Sequence, residues 1–273
     1  MSEARNRALL DWYQVSRRPL PWRTTVDPWP ILVSEVMAQQ TQVSRVAPRF
    51  EAFVEQYPTP GAFARASDLD SLAMWAGLGY NSRALRLRDA ARVITADGWP
   101  DTPEGLAQLP GVGPYTAAAV ACFAFGHQVP AVDTNLRRVL SRWTGTHLTG
   151  VHLQAFAQES MASGDAADWN QAVMDLGALL CKPKQPDCQQ CPVAEWCADP
   201  GVYEPAPTQG VWVGSNRQAR GAIVRALLRR PHTSDELVDS TELDQARCEL
   251  ALASLVADGV VRFDQTDTFA IAG

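Results

Sequence analysis

Apolar residues along the first 200 positions return at helical spacing and almost nowhere alternate. Ile31, the run 33–37, Val43 and Val46 mark one such face, following a Pro28-Trp29-Pro30 segment that reads as a helix breaker. The same spacing predicts helices over 62–64, 69–75, 82–97, 103–108, 115–125, 135–143, 153–163 and 170–180. Pro and Gly punctuate the junctions, as at Trp99-Pro100, Leu109-Pro110-Gly111 and Asp199-Pro200-Gly201. No solenoid repeat period is present. The expected fold class is all-α.

Beyond Cys197 the pattern changes. A polar, Pro- and Gly-rich stretch reads as a linker, placed at residues 201–217, before a small unit at 218–273. Helices are predicted there at 220–229 and 243–258. Val260 to Phe263 and Phe269 to Ile271 can then pair as a short hairpin. Helices followed by a small β-wing suggest a winged-helix-like unit, a module that serves as often for packing or protein contact as for DNA.

With 273 residues, the chain can form two packed lobes plus this module. Hydrophobic residues make up 46% and charged residues 20%, a globular composition with no run long enough to cross a bilayer. The opening residues carry Glu3 and Asp11 and lack the apolar core of a secretory signal, so a cytoplasmic location and no membrane partner are expected. The formal charge of −6 weighs against a nucleic-acid partner. Over residues 1–130, however, 12 arginines balance 12 acids. Local basic runs occur at Arg83, Arg86, Arg88 and Arg92, and again at Arg137, Arg138 and Arg142. Charge balance therefore excludes neither class.

Four of the six cysteines, Cys181, Cys188, Cys191 and Cys197, fall within 17 residues in the spacing C-x6-C-x2-C-x5-C. A disulfide framework is not expected without an export signal. Four thiolates on one loop can hold zinc or an iron–sulfur cubane. Zinc sites usually pair two short knuckles, and only one spacing here is short, which favours the cluster modestly. Lys182 and Lys184, the only two lysines in the chain, lie inside the loop. They fit solvation and phosphate contact equally well.

Leu109-Pro110-Gly111-Val112-Gly113-Pro114 places two glycines in a tight turn ahead of a helix. Such a turn allows close backbone approach, and the helix it opens suits a phosphate, the arrangement of a helix–hairpin–helix that grips DNA without reading bases. An ordinary turn between two helices would look alike. Two acids stand out by context. Glu35 lies in Ser34-Glu35-Val36-Met37-Ala38-Gln39-Gln40, where desolvation would let it deliver a proton, although a helix flank would also accommodate it. Asp133, in Val132-Asp133-Thr134-Asn135, sits at a predicted helix start, where N-capping alone explains it.

Taken together, residues 10–200 resemble the helix–hairpin–helix DNA glycosylase superfamily, and within it the MutY-type adenine DNA glycosylases. The resemblance is carried by Leu20-Pro21-Trp22-Arg23, the segment from Ser34 to Val43, Gly77-Leu78-Gly79-Tyr80, the Gly111–Gly113 hairpin, Val132 to Asn135 and the cysteine loop. It implies a two-lobed fold: a six-helix barrel lobe over 20–130 and a cluster-bearing lobe from 1–19 and 131–200. It also implies a [4Fe–4S] cluster on the four cysteines. Glu35 would protonate the leaving adenine, and Asp133, supported by Asn135, would stabilise an oxocarbenium-like sugar. Tyr115 stands where bifunctional relatives carry a Schiff-base lysine. Gln40 and Tyr80 match residues that probe or wedge the duplex, and Arg18, Trp22 and Gln171 match residues near the adenine. Gly111 and Gly113 would meet the DNA backbone. Residues 218–273 differ in pattern from the Nudix-like domain usual in the family.

The implied activity is hydrolysis of adenine from pairs with 8-oxoguanine or guanine in double-stranded DNA, by a monomer. A strand-cutting lyase needs an amine nucleophile, and neither lysine lies near the acid pair in sequence, so hydrolysis without strand cleavage is expected. Two alternatives stay open. One keeps the fold and changes the base; the other is a non-catalytic, cluster-bearing DNA-binding or redox-sensing protein.

Overall fold

The computed structural model describes residues 2–202, 210–264 and 267–273. Eleven α-helices precede the cysteine loop: α1 (Ser2–Ser16), α2 (Pro28–Ala38), α3 (Val43–Gln56), α4 (Pro60–Ala64), α5 (Asp68–Met74), α6 (Ser82–Asp97), α7 (Pro103–Leu106), α8 (Pro114–Phe125), α9 (Thr134–Thr144), α10 (Gly150–Ser160) and α11 (Ala166–Leu179). Three more follow it, α12 (Asn216–Leu227), α13 (Ser234–Thr241) and α14 (Gln245–Ala257), and then strands β1 (Val261–Phe263) and β2 (Phe269–Ile271). The helix starts are local chemistry. Thr59, Ser67, Thr102, Ser215, Thr233 and Asp244 each accept a backbone N–H of the helix they open. Left-handed Gly126 and Gly145 close α8 and α9. No helix among the described residues is long and apolar enough to cross a membrane.

The chain divides into two compact units. The first comprises Met1–Leu32, Pro100–Gln108 and Val112–Thr208, and the second Val33–Trp99, Leu109–Gly111 and Gln209–Gly273. In the first, α9 and α1 pack on α11. Leu136, Val139 and Leu140 from α9 meet Trp169, Val173 and Leu176 from α11, with Leu9 and Tyr13 from α1. In the second, α4 lies against α6. Phe53, Tyr57 and Phe63 form an aromatic cluster with ring centroids 4.7 to 5.4 Å apart.

At the C-terminal end of the second unit, α12, α13 and α14 pack around Ile223, Leu237, Cys248 and Leu255, all buried. β1 and β2 pair antiparallel, with Arg262 opposite Ala270, and His232 adds a bridge to Phe269. The expected hairpin is present. Residues 203–209 of the expected linker lie outside the described residues.

Three expectations are corrected. Pro28 and Pro30 do not break a helix; they occupy the first turn of α2, where a missing N–H costs no intrahelical bond. The apolar run from Ile31 to Val46 is two helices with a turn at residues 39–42 between them. Two helices were not anticipated, α1 and α13. The second announces itself by a capping box, in which Thr233 and Glu236 each bond the other's backbone N–H.

Candidate active site and cysteine loop

Asp133 opens α9, as the sequence predicts, and accepts the Leu136 N–H at 2.7 Å on Oδ1. Its other oxygen accepts from Asn135 Nδ2 at 2.7 Å. Asn135 is held in turn by Arg138, whose Nη2 donates to Asn135 Oδ1 at 2.8 Å and to the Gly177 carbonyl at 2.7 Å. The same guanidinium reaches the Cys181 carbonyl through Nε at 2.8 Å. A hydrogen-bonded line thus runs from a carboxylate to the backbone of a loop cysteine. Burial pushes the Asp133 carboxyl above the usual carboxylate range, against the pull of its two donors and the positive Arg138. Gly177 makes the line possible: a Cβ there would stand 2.6 Å from the Asn135 Cβ.

Arg18 and Gln171 are each tied to buried partners. Asp175, with no solvent exposure, bonds Arg18 Nε at 2.5 Å and Arg23 Nη1 at 2.7 Å. Burial alone would raise its carboxyl, but the Arg23 and Arg18 donors together hold it below the usual range. Tyr13 donates its hydroxyl to Gln171 Oε1 at 2.6 Å, which turns the Gln171 amide nitrogen away from that contact. Trp22 sits half-buried in the short helical turn Pro21–Arg23. Tyr115, in the first turn of α8, packs partly buried against the first unit's core.

Glu35, Gln40 and Tyr80 belong to the second unit. Glu35 is half-buried in α2, with Val33, Val36 and Met37 buried around it in sequence. Gln40 and Tyr80 are exposed, on the turn after α2 and the loop before α6. Arg83 bonds both segments. In the glycine hairpin, Gly111 has φ of +76°, and a Cβ there would lie 2.9 Å from the Arg86 Cβ. Gly113 is extended at φ −87° and caps α8, so only the first glycine answers a conformational demand.

The four loop cysteines line one pocket, together with Arg142, Trp143, Leu176 and Leu180. Burial pushes the Cys191 thiol to about 11, and Cys181, Cys197 and Cys188 push it the same way. Such a set ionises readily only around a positive core, which is the chemistry of an iron–sulfur site. Arg142 fits that anionic group. Fully buried, it donates to Cys181 Sγ at 3.1 Å and to the Lys182 and Pro183 carbonyls at 3.0 Å.

The loop, residues 181–197, matches the iron–sulfur binding domain of endonuclease III. Residues 33–158 match the HhH-GPD superfamily of base excision DNA repair proteins. The adenine DNA glycosylase of Mycobacterium tuberculosis is 42% identical over 97% of this chain and 92% of its own length. The chain belongs to the HhH-GPD superfamily.

Among other HhH-GPD relatives, the adenine DNA glycosylase of Mycolicibacterium smegmatis is 40% identical over 97% of this chain and 95% of its own length. The human adenine DNA glycosylase is 40% identical over 70% of this chain and 38% of its own length. A thermostable thymine-DNA glycosylase superposes with a TM-score of 0.69 at 30% identity, over 72% of this chain and 95% of that one. An endonuclease III–DNA complex does so at 0.62 and 20% identity, over 73% and 96%, a likeness of fold alone. The loop at residues 181–197, which contains Cys181, Cys188, Cys191 and Cys197, is the protein's iron–sulfur domain, of the type that carries a [4Fe–4S] cluster.

The basic runs are a correction to the sequence reading. In this HhH-GPD protein Arg83, Arg88, Arg138 and Arg142 are buried and bonded inward, and only Arg86 and Arg92 of the first run are exposed. Asp175, Arg138 and Arg142 carry the site's wiring and were not singled out for it. Helical spacing offered one signal: Arg138 and Arg142 fall one turn apart, on a helix whose Leu136, Val139 and Leu140 are core.

Proposed function

We propose that the chain is a monofunctional adenine DNA glycosylase, acting as a cytoplasmic monomer on adenine opposite 8-oxoguanine or guanine in duplex DNA. The observation that carries the choice of base is the match, nearly full-length in both chains, with adenine DNA glycosylases at 40 to 42% identity. The carboxylates carry the chemistry.

In this reading Glu35 gives its proton to a ring nitrogen of the flipped adenine as the C1′–N9 bond breaks. Adenine leaves as the neutral base, and the sugar takes up positive charge. Asp133, held by Leu136 N–H and Asn135, presents its anion to that cation. Water then bonds to C1′ and returns a proton to Glu35, which leaves an abasic site and an intact strand. Tyr115 offers no amine at the lysine position of bifunctional relatives. Lys182 and Lys184 are exposed on the cysteine loop, far in sequence from both Glu35 and Asp133. When bound, the cluster supplies a charged cross-link on Cys181, Cys188, Cys191 and Cys197.

A single-turnover panel over A·8-oxoG, A·G and G·T duplexes tests the proposal. Strand breaks at adenine that appear only after alkali, with no borohydride trapping, are the expected result. Thymine release from G·T in preference to adenine would overturn the choice of base and favour the thymine-specific reading raised by the structural neighbour.

A further inference from the structure

Gln40 and Tyr80 share a backbone state and an anchor. Their φ angles are +53° and +49°, a left-handed region that a residue with a Cβ enters at a cost. They lie on separate segments, one after α2 and one before α6, and both expose their side chains. One buried side chain on the first turn of α6 bonds both segments. Arg83 Nη1 donates to the carbonyls of Val36, Met37 and Gln39 at 2.8, 3.2 and 2.6 Å. Its Nη2 donates to Thr41 Oγ1, Leu78 O and Gly79 O at 3.2, 3.2 and 2.8 Å. Thr41 Oγ1 also donates to Leu78 O at 3.2 Å, and Trp75 Nε1 to Gly79 O at 3.2 Å. The guanidinium lies 5.4 Å from the Trp75 ring centroid and 5.6 Å from that of Tyr80.

The geometry points to Arg83 as a positioning residue that fuses the Gln40 and Tyr80 segments into one rigid probe, so that both side chains enter a duplex at a fixed separation and discriminate mispaired from paired adenine. This rests on the reading of Gln40 and Tyr80 as duplex-probing residues. The chemistry calls for arginine. A planar fork with donors on both sides can reach two loops at once, whereas an ammonium offers three donors at a single point. The carbonyls of Val36 and Met37 belong to the last turn of the helix that carries Glu35, so the same clamp also fixes the end of α2.

The test compares wild type with Arg83→Lys and with the milder Thr41→Val, which removes one acceptor of the clamp. Fold is read from the unfolding temperature and visible cluster absorbance. Function is read from single-turnover excision at A·8-oxoG, and from affinity for a duplex with a non-hydrolysable adenosine analogue, mispaired against fully paired. Arg83→Lys is expected to keep the cluster, slow excision by about 30- to 100-fold and narrow the mispaired-to-paired affinity ratio by about tenfold. Thr41→Val should move both quantities the same way by less. Wild-type excision and discrimination in Arg83→Lys would overturn the clamp, as would an equal loss of affinity for both duplexes with the excision rate unchanged. Should Arg83→Lys not fold, unchanged discrimination in Thr41→Val overturns it alone. A wild-type chain that releases no adenine would instead sink the functional reading on which the clamp rests.

Discussion

Arg138 ties Asn135 to Cys181, donating to the side chain of one and the backbone carbonyl of the other, each at 2.8 Å. Two sites that look separate in sequence, a helix-capping carboxylate and a cysteine loop, therefore share one guanidinium. Replacing Arg138 with Met leaves the Asn135 amide and the Cys181 and Gly177 carbonyls without that donor. Excision is expected to fall about 10²-fold, because the carboxylate loses its orientation. Cluster absorbance should also decay faster on dilution. Slow excision with an unaltered cluster lifetime would show that the line carries no coupling.

Glu35→Gln keeps the shape of the side chain and removes the proton. Single-turnover excision should drop by about 10²- to 10⁴-fold, the usual contribution of a general acid. Affinity for mispaired duplex should hold. A variant that still makes abasic sites at the wild-type rate would remove Glu35 from the mechanism.

Asp133→Asn should separate stability from activity. Asn caps a helix as well as Asp does, so the Leu136 N–H keeps an acceptor, whereas the Asn135 amide loses the second carboxylate oxygen. Burial raises the folded-state carboxyl above its unfolded value. Its ionisation therefore weakens the fold, an effect that sets in as pH rises through the unfolded value and is complete above the folded one. Set against wild type, the variant should gain stability as pH rises from acid to neutral, while excision at neutral pH falls about 10²- to 10³-fold. A stability difference that stays flat or shrinks as pH rises would contradict the account.

Asp175 gives the opposite pH behaviour. Its carboxyl is held below the usual range by Arg23 and Arg18, so its stabilisation is full above the unfolded carboxylate value and disappears as pH falls through the lower folded value. Asp175→Asn strands two guanidinium groups, one of them largely buried, and should cost about 3 kcal/mol at pH 7 in denaturant unfolding. The deficit should shrink only below about pH 4. A gap that is constant down to the acid transition would show that the ion pair is not its source.

What could be read in the chain beforehand follows the range of the interactions. α6 was expected at its observed bounds, 82 to 97, because its apolar face repeats within one helix. The cysteine loop and the β1–β2 hairpin were legible for the same reason. Asp133 as a cap was equally local. The arginines were misjudged because a charged side chain reads as surface until its acceptors are placed. For Arg138 these include Cys181, 43 residues away, and for Arg83 they include Val36, 47 residues away. Asp175 meets Arg18 across 157 residues, a pairing that no window of sequence contains. α1 is held by buried Leu9 and Tyr13 packing on α11, a contact between segments more than 150 residues apart that local spacing does not announce.

Gly177 has the last consequence. With no room for even one methyl beside Asn135, this position acts as a gauge block between two helices. Enlarging it would tilt the start of α9 outward and turn Asp133 off its mark, with no ligand, nucleophile or DNA contact touched. A defect in repair that arises there would look like a lost catalytic group to a kineticist and like a trivial alanine to anyone reading the alphabet alone.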